Sequence, residues 1–441
     1  MIFLLFAFLL IFLTIIFKKT RDVFHPAFLL TACYTFSCFF CVLSYKQLGT
    51  DISFTTFIVV ALTAVLFSVP SIIICERVKY CGEKDYKIMI IPLSYKIFFF
   101  LFFLLVDVLY ARYIINMARI GGYTGGLTNI FTYAQIAIFN DQVDSSMGFV
   151  LNYGLKLSKA IGYIVSFELM QGFVYRKLVK PKHLGISFLI FILFVFQCIL
   201  STGRTQIIYL LIFLLCIYAF LKRQQCLWKK DDNKKFLFFF IVIGVFGLLI
   251  FRIIGTKFRG SIYGTTSDTW ANLFKYIGSP IYALDEYLSK PSFSSFFGEE
   301  TLYTLYSALH KIGLWGNVKP NNLGFVDYLY EGVSTTTNVY GAVRRYIHDY
   351  SVFTVFILVL EGCFFGTIYK HIRKYGCNSF SFIAYSKISY VLVFFFFEER
   401  FLVDIFTLSN GFTFFFLYIF YRLFTHNYSC AKSKQKIAGS F

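Results

Sequence analysis

Long apolar runs recur along almost the whole chain and constrain its fold more than any other feature. A helix needs about 20 mainly apolar residues to cross the roughly 30 Å hydrocarbon layer of a bilayer. Hydrophobic residues make up 58% of the 441 residues and charged residues only 15%, which excludes a disordered chain. We therefore predict an all-α polytopic integral membrane protein in which 1–441 form a single membrane domain. The eleven predicted spans are 2–17, 26–45, 53–75, 94–117, 151–173, 184–200, 207–221, 236–254, 351–369, 379–397 and 402–423.

The first apolar run indicates how the chain is oriented in the bilayer. No basic residue precedes Ile2–Phe17, whereas Lys18, Lys19 and Arg21 follow it directly. A secretory signal peptide has the opposite polarity, with its basic residues before the apolar run. We therefore predict that this run stays in the protein as a first span, with the N-terminus outside the cell membrane and its far end in the cytoplasm.

If the spans alternate in direction from this start, every second connector lies in the cytoplasm. The net charge of +19 is found in these cytoplasmic connectors. Those connectors, with the span ends beside them, hold 25 of the 42 Lys and Arg residues but only six of the 23 acids. The rest of the chain therefore balances, with 17 basic residues (42 − 25) against 17 acidic ones (23 − 6). This asymmetry is typical of positive-inside sorting and gives no support to nucleic-acid binding. It predicts a cytoplasmic tail at 424–441 and two long outer loops at 118–150 and 255–350.

The outer loops contain segments with helical periodicity. Apolar residues from Trp270 to Leu288 recur at spacings of three and four, with Gly278-Ser279-Pro280 between them, which predicts a broken amphipathic helix. Leu302 to Ile312 predicts a second one. Helices of this kind lie along a bilayer surface or cap a bundle, and they can also roof a cavity.

Several kinds of chemistry lack their sequence motifs. The chain has no Walker-type glycine loop, no His-Glu-x-x-His and no Gly-x-Ser-x-Gly, so ATP hydrolysis, zinc proteolysis and one class of esterase chemistry are excluded. The 11 Cys residues lie in predicted spans or cytoplasmic connectors, which implies no disulfide framework. We expect no metal ion and no cofactor.

The outer membrane boundary carries several arginines. Arg204 lies in the very short turn Ser201–Thr205, Arg252 and Arg259 flank the end of an outward span, and Arg344-Arg345 precede an inward one. Each arginine alone is more often an interface anchor. Together they favour an anionic ligand such as a lipid-linked phosphate, because a guanidinium group forms paired hydrogen bonds with phosphate oxygens.

The segment 336–350 is the most informative stretch. If it is helical and continues into the span that begins near Ser351, Arg344 lies four residues before His348, and Arg345 four before Asp349. Such residues share one helix face. One interpretation is a salt bridge at the start of a helix, worth roughly a few tenths of a kcal/mol. The alternative is a site in which the arginines neutralise a diphosphate while His348 or Asp349 orients or deprotonates an incoming hydroxyl.

These features together resemble the Wzy-type oligosaccharide repeat-unit polymerases, which are the O-antigen and capsule polymerases. The resemblance rests on the turn at 201–204, the glycine-rich outer loop at 118–150 and the segment 338–351. In that family the last segment runs roughly Asn-x-Tyr-x-x-Leu-Arg-x-Tyr-x-x-Asp-Phe-Gly. The residues that match it here are Asn338, Tyr340, Arg344, Tyr346 and Asp349. The departures are Val343 in place of Leu, and Tyr350 and Ser351 in place of Phe-Gly.

The resemblance implies a bacterial inner-membrane glycosyltransferase with a GT-C-like bundle, a periplasmic N-terminus and a cytoplasmic C-terminus. It implies transfer of a growing chain, at the periplasmic face, from undecaprenyl diphosphate to a new lipid-linked repeat unit. The implied partners are these lipid-linked donors and acceptors, the bilayer and a chain-length regulator protein.

The expected site residues fall into three groups. Asp349 and His348 are the catalytic candidates. The diphosphate-binding candidates are Arg204, Arg344, Arg345, Arg252 and Arg259. The loop candidates for contact with the substrate are Arg119, Asn338, Tyr340 and Glu331. Glu331 and Asp327 are also weaker candidates for the base.

Two other functions stay open at this stage. Asp107, Glu168, Glu361 and Asp404 fall within predicted spans, where an ionisable side chain is a functional candidate because its charge is costly there. A flippase or ion-coupled transporter for lipid-linked oligosaccharides would use such residues, although the spans show no obvious inverted repeat. An O-antigen ligase would share the lipid-diphosphate donor and differ in its acceptor.

Overall fold

The computed structural model describes residues 1–45, 51–76, 78, 86–123, 130–139, 147–175, 184–201, 205–225, 228, 236, 238, 269–316, 326–330, 333–337 and 339–428. Within these residues the chain is almost entirely helical. The helices before the second long loop are α1 (Ile2–Thr20), α2 (Pro26–Leu43), α3 (Phe54–Cys75), α4 (Leu93–Ile120), α5 (Ile130–Phe139), α6 (Phe149–Val174), α7 (Gly185–Leu200) and α8 (Thr205–Gln225). The later ones are α9 (Thr269–Ser289), α10 (Tyr303–Lys311), α11 (Ala342–Tyr350), α12 (Thr354–Tyr375), α13 (Phe380–Phe394) and α14 (Leu408–Phe424).

Four short strands form two antiparallel pairs in the described residues. The strand β1 (Tyr86–Met89) pairs with β4 (Thr425–Tyr428), and β2 (Val326–Tyr330) pairs with β3 (Val333–Thr337). No strand was predicted from the sequence.

Helices lie at ten of the eleven predicted spans, and the remaining one, 236–254, falls outside the described residues except at 236 and 238. Six described stretches are long and apolar enough to cross a membrane: α1, α2, α3, α4, α8 and the stretch 342–378. The helices α7 and α13 are apolar but shorter. The protein is therefore a helical polytopic membrane protein, as predicted. The number of eleven spans stays a prediction.

The chain divides into two compact units. The first comprises Met1–Lys79, Ser267–Arg373 and Ile388–Asn410. The second comprises Tyr80–Thr266, Lys374–Lys387 and Gly411–Phe441.

Two glycines allow the close packing of α12 on α3 in the first unit. A Cβ atom on Gly362 would lie 2.3 Å from the carbonyl oxygen of Phe67, and one on Gly366 would lie 2.9 Å from the Cα atom of Ser71. Small residues four apart let two helix backbones approach closely, which is how helices associate in lipid. The pair Gly362 and Gly366 therefore determines the distance between these helices.

The predicted break in the 270–288 helix is wrong, because α9 continues through Pro280. Two side chains of α2 donate hydrogen bonds to carbonyl groups just before the proline: Ser37 Oγ to the oxygen of Ile277 at 2.9 Å, and Cys41 Sγ to that of Gly278 at 3.1 Å. These contacts hold the residues beside Pro280 against α2, which stabilises α9 where the proline removes a helical hydrogen bond. Gly278 serves close packing, since a Cβ atom there would lie 3.1 Å from the backbone nitrogen of Cys41.

The second unit contains a buried ion pair. Lys96 Nζ lies 2.9 Å from Glu168 Oε1, and both side chains are buried. Glu168 also accepts hydrogen bonds from the Ile91 N–H at 2.9 Å and from Ser187 Oγ at 2.7 Å. These partners compensate the charge of Glu168 and give this span acid a structural role. Asp107, the other candidate in this unit, accepts a 3.3 Å hydrogen bond from Gln197 Nε2.

Candidate functional site

A glycine in a left-handed conformation begins α11, the helix that carries the predicted charged residues. Gly341 has φ 76°, and a Cβ atom there would lie 3.1 Å from the carbonyl oxygen of Phe396. Its N–H donates to the Phe397 carbonyl at 3.0 Å, and the Ala342 N–H donates to that of Phe395 at 2.9 Å. The start of α11 is thus held against the residues that follow α13. Of the segment 336–350, only Ala342–Tyr350 is helical in the described residues, and 333–337 form the strand β3.

Ser351 separates α11 from α12. Its φ of 49° and ψ of −121° turn the chain, and α12 then begins at Thr354. The continuous helix considered from the sequence is therefore interrupted at Ser351. The family pattern has Gly at this position, which adopts such a backbone conformation at little cost. The spacing of Arg344, His348 and Asp349 is unaffected, since all three lie within α11.

Three side chains of α11 converge on the carboxylate of Glu300. Arg344 Nη1 is bonded to Glu300 Oε2, and Arg345 Nε lies 4.0 Å from the same oxygen. His348 Nε2 lies 3.5 Å from Glu300 Oε1. The two arginines and Glu300 are buried, which strengthens their electrostatic interaction relative to a surface pair.

Arg345 extends this network to the turn after α13. Its Nη2 atom lies 3.0 Å from Glu398 Oε1, and the other oxygen of Glu398 is bonded to Arg400 Nη2. Arg400 Nη1 lies 3.5 Å from Asp404 Oδ2, so this predicted span acid has a cationic partner. The arginines of the site are therefore neutralised by acids of the protein itself.

Sequence reasoning missed Glu300, Glu398, Glu399 and Arg400. A signal was available for the last three, because Glu398-Glu399-Arg400 interrupt two apolar runs at the boundary where the predicted topology also puts Arg344. Glu300 carried no such signal, since it lies outside every predicted span, in the turn between α9 and α10.

Asp349 binds the segment that carries Glu300. Its carboxylate accepts hydrogen bonds from the Glu300 N–H at 3.1 Å, the Thr301 N–H at 2.7 Å and the Thr301 hydroxyl at 2.7 Å. The Ser294 N–H also donates to the His348 carbonyl oxygen at 2.9 Å. These contacts fix the position of residues 294–301 on α11.

The hydrogen bonds of His348 distinguish its two ring nitrogens. Nδ1 lies 2.9 Å from the carbonyl oxygen of Ser292. Because a carbonyl oxygen only accepts, Nδ1 carries the proton of the neutral ring. Nε2, which faces Glu300, is then the nitrogen that can take up a proton.

Tyr346 links α11 to two buried acids. Its hydroxyl donates to Glu361 Oε1 and lies 3.0 Å from Glu399 Oε1. Glu399 also accepts from the N–H groups of Leu402 at 2.7 Å and Val403 at 3.0 Å. Burial raises the pKa of Glu399 above its ordinary value, although these hydrogen bonds favour the ionised form. Glu361, predicted as a functional span acid, is thus part of the support of α11.

Aromatic rings flank the guanidinium of Arg344. It lies 4.9 Å from the ring centre of Tyr287 and 5.2 Å from that of Tyr340, one of the predicted substrate contacts. Such contacts hold a cation in place.

Of the remaining predicted site residues, five lie outside the described residues and two lie in described elements. Arg204, Arg252, Arg259, Asn338 and Glu331 lie outside the described residues, and Asp327 lies in β2. Arg119 is exposed in the last turn of α4, which belongs to the second unit. In the described residues, no group of three or more His, Cys, Asp or Glu side chains is arranged to hold a metal ion.

A comparison with known proteins finds a curated protein of similar sequence. No family model and no solved structure matches the chain. A curated protein of Escherichia coli (strain K12) that bears the provisional name O-antigen polymerase is 25% identical over 300 residues. The match spans 65% of this chain and 65% of the relative, which is less than two thirds of its length. This similarity confirms the resemblance to O-antigen polymerases that the segment 338–351 indicates.

Proposed function

We propose that this protein is a glycosyltransferase that polymerises lipid-linked oligosaccharide repeat units into O-antigen or capsular polysaccharide. The observation that carries the proposal is the convergence of Arg344, Arg345 and His348 on Glu300, which combines anion-binding groups with a proton acceptor. The name of the similar E. coli protein supports the same reaction class.

The reaction breaks the bond between the anomeric carbon of the growing chain and its undecaprenyl diphosphate. The diphosphate leaves with the bonding electrons, and the hydroxyl oxygen of the acceptor sugar forms the new glycosidic bond. Arg344 and Arg345 stabilise the negative charge that develops on the leaving group, and no metal is needed for this step. Arg204, Arg252 and Arg259 supply further contacts to the diphosphate.

His348 Nε2 accepts the proton of the acceptor hydroxyl. We assign this role to His348 before Asp349, because three hydrogen bonds already occupy the Asp349 carboxylate. Asp349 acts as a positioning residue for residues 300–301. Once the donor diphosphate replaces Glu300 on the arginines, Glu300 remains beside the protonated ring and stabilises its charge.

The proposed setting is the inner membrane of a bacterium. Eleven spans in a GT-C-like bundle put the N-terminus and the 118–150 and 255–350 loops in the periplasm, and the tail in the cytoplasm. The basic connectors support this orientation. Arg119, Asn338, Tyr340 and Glu331 contact the oligosaccharide, and a chain-length regulator is the proposed protein partner.

Purified protein and lipid-linked repeat units test the reaction directly. The wild type should elongate chains without nucleotide or metal, and Arg344→Ala should not. Arg422→Ala, in the last turn of α14 at the proposed cytoplasmic end, is the matched control and should keep full activity. Absence of chain growth with the folded wild-type protein would exclude a polymerase.

The surface polysaccharide of cells that carry an Arg344→Ala variant distinguishes a polymerase from a ligase or a flippase. A polymerase defect leaves single repeat units on the lipid core, a ligase defect leaves none attached, and a flippase defect traps repeats inside. Cysteine labelling in the 255–350 loop tests the orientation, since labelling from the cytoplasm alone would contradict it.

A further inference from the structure

Large apolar side chains are exposed in a part of the chain that was predicted to lie outside the membrane. They are between 47% and 71% exposed. The five side chains, which we call the outer apolar patch, are Phe293, Phe297, Leu305, Ile312 and Leu314. Single exposed apolar side chains are normal, but a cluster of them indicates an interaction surface.

Ring contacts hold the three stretches that carry this patch together. Tyr306 of α10 lies 5.0 Å from Phe296 and 4.5 Å from Trp315, measured between ring centres. Phe296 and Trp315 are 5.7 Å apart. Residues 293–297, α10 and 312–315 therefore form one compact module.

The outer apolar patch is continuous with the lipid-facing surface of α12. The ring of Phe297 lies 4.6 Å from that of Tyr350, at the end of α11. Directly after the turn at Ser351, Val352 and Phe353 are more than half exposed, and so is Phe356 in the first turn of α12. This helix lies in the stretch 342–378, which is long and apolar enough to cross a membrane.

The module and the residues between its first two stretches are polar where they meet α11. There the Ser294 N–H donates to the His348 carbonyl oxygen at 2.9 Å, and the N–H groups of Glu300 and Thr301 donate to the Asp349 carboxylate. A segment with one apolar and one polar side is the kind that lies in the interfacial layer of a bilayer, with tyrosine and tryptophan at headgroup depth.

We propose that the outer apolar patch is embedded in the outer leaflet of the bilayer, where lipid acyl chains cover it. Continuity with α12 favours lipid over a second protein chain, which would have to cover lipid-facing residues as well. The consequence is that Glu300 and the α11 cations lie at headgroup depth, where the phosphate groups of lipids are found.

Fluorescence quenching of the full-length protein in phosphatidylethanolamine–phosphatidylglycerol vesicles tests this proposal. An environment-sensitive dye is attached at Leu314→Cys or Ile312→Cys, and unmodified protein gives the labelling background of the native cysteines. Ser289→Cys, at the exposed end of α9, is the matched control. Gel filtration and circular dichroism confirm that each variant is folded.

We expect lipids with a spin label near the headgroup to quench the dye at 312 and 314 several-fold more than at 289. Aqueous iodide should show the opposite order. Iodide quenching at 314 as strong as at 289 would show a water-exposed patch and overturn the proposal. Protection from both quenchers would show a protein partner and overturn it too. Because the measurement needs no glycosyl transfer, its result is independent of the proposed enzyme activity.

Discussion

The carboxylate of Asp349 accepts both the backbone N–H and the side-chain hydroxyl of Thr301, each at 2.7 Å. The Glu300 N–H is a third donor to the same carboxylate. Asp349 therefore fixes the backbone of Glu300, the acid whose side chain faces the arginines of α11. We predict that Asp349→Ala destabilises the protein by about 2–4 kcal/mol, because it leaves buried donors without an acceptor. Asp349→Asn keeps one acceptor oxygen and should cost about half as much.

Thermal unfolding of the detergent-purified variants at one heating rate checks this prediction. Glu286→Ala, an exposed acid in α9 of the same unit, is the control and should change stability by no more than about 0.5 kcal/mol. An Asp349→Ala variant as stable as the Glu286→Ala control would show that the hydrogen bonds are not needed for the fold.

The left-handed conformation of Ser351 leads to a stabilising substitution. A non-glycine residue with φ 49° pays a backbone cost that glycine avoids. Glycine also increases the conformational freedom of the unfolded chain, which offsets part of this gain. We expect Ser351→Gly to stabilise the protein by a net amount of about 0.5–1 kcal/mol.

Two controls accompany the Ser351→Gly measurement. Ser307→Gly, inside α10, should lower stability by about 1 kcal/mol, because glycine is a poor helix former. Ser351→Val should destabilise, since a β-branched side chain rarely adopts positive φ. If Ser351→Gly lowers the unfolding temperature, Ser351 does not have the left-handed backbone conformation in the folded protein.

Gly362 provides a test of helix packing in the first unit. A methyl group there meets the Phe67 carbonyl oxygen, which belongs to the backbone of α3 and can move only with its helix. We predict that Gly362→Ala costs on the order of 1–3 kcal/mol. At Gly411 in α14, no described atom lies within 4 Å of the position that a methyl group would take, so Gly411→Ala should leave thermal stability unchanged or slightly higher. Equal effects of the two substitutions would contradict close packing at Gly362.

The helices could be predicted from the sequence because their signal is local. Lipid requires each span to satisfy its own backbone, so apolar length alone identifies α1–α4 and most of the later helices. The spacing of Arg344, His348 and Asp349 on one helix was equally local, and the structure has all three in α11.

The partners of those residues could not be predicted, because they come from distant parts of the chain. Glu300 is 44 residues from Arg344, and Glu398 is 53 from Arg345. Nothing in the spacing of either acid identifies its arginine. The same applies to Pro280, where the helix continues because side chains of α2 lie beside it. Propensity predicted a break, and tertiary contacts outweighed it.

The buried pair Lys96–Glu168 allows a double-mutant cycle in the second unit. Lys96→Met leaves the Glu168 carboxylate buried without its cation, which should cost about 3–5 kcal/mol. Adding Glu168→Gln removes the charge; the amide oxygen can still accept from the Ile91 N–H, and the amide NH2 can donate to the Ser187 hydroxyl oxygen. We therefore expect the double variant to be more stable than Lys96→Met alone, in thermal unfolding of the purified proteins. Strictly additive losses would show that the two side chains do not interact.

We predict that a substitution of His348 lowers the rate of chain elongation without lowering the stability of the fold. Its Nε2 atom is the proposed proton acceptor, so His348→Gln should lower the rate of chain elongation by about 10²–10⁴-fold. The glutamine amide can still donate to the Ser292 carbonyl oxygen, which keeps the loop contact and leaves the unfolding temperature close to that of the wild type. His310→Gln, on α10 with its Nδ1 atom 3.0 Å from the Gly316 carbonyl oxygen, is the matched control and should elongate chains normally. Elongation at the wild-type rate by His348→Gln would exclude the histidine as the base and return that role to a carboxylate of the site.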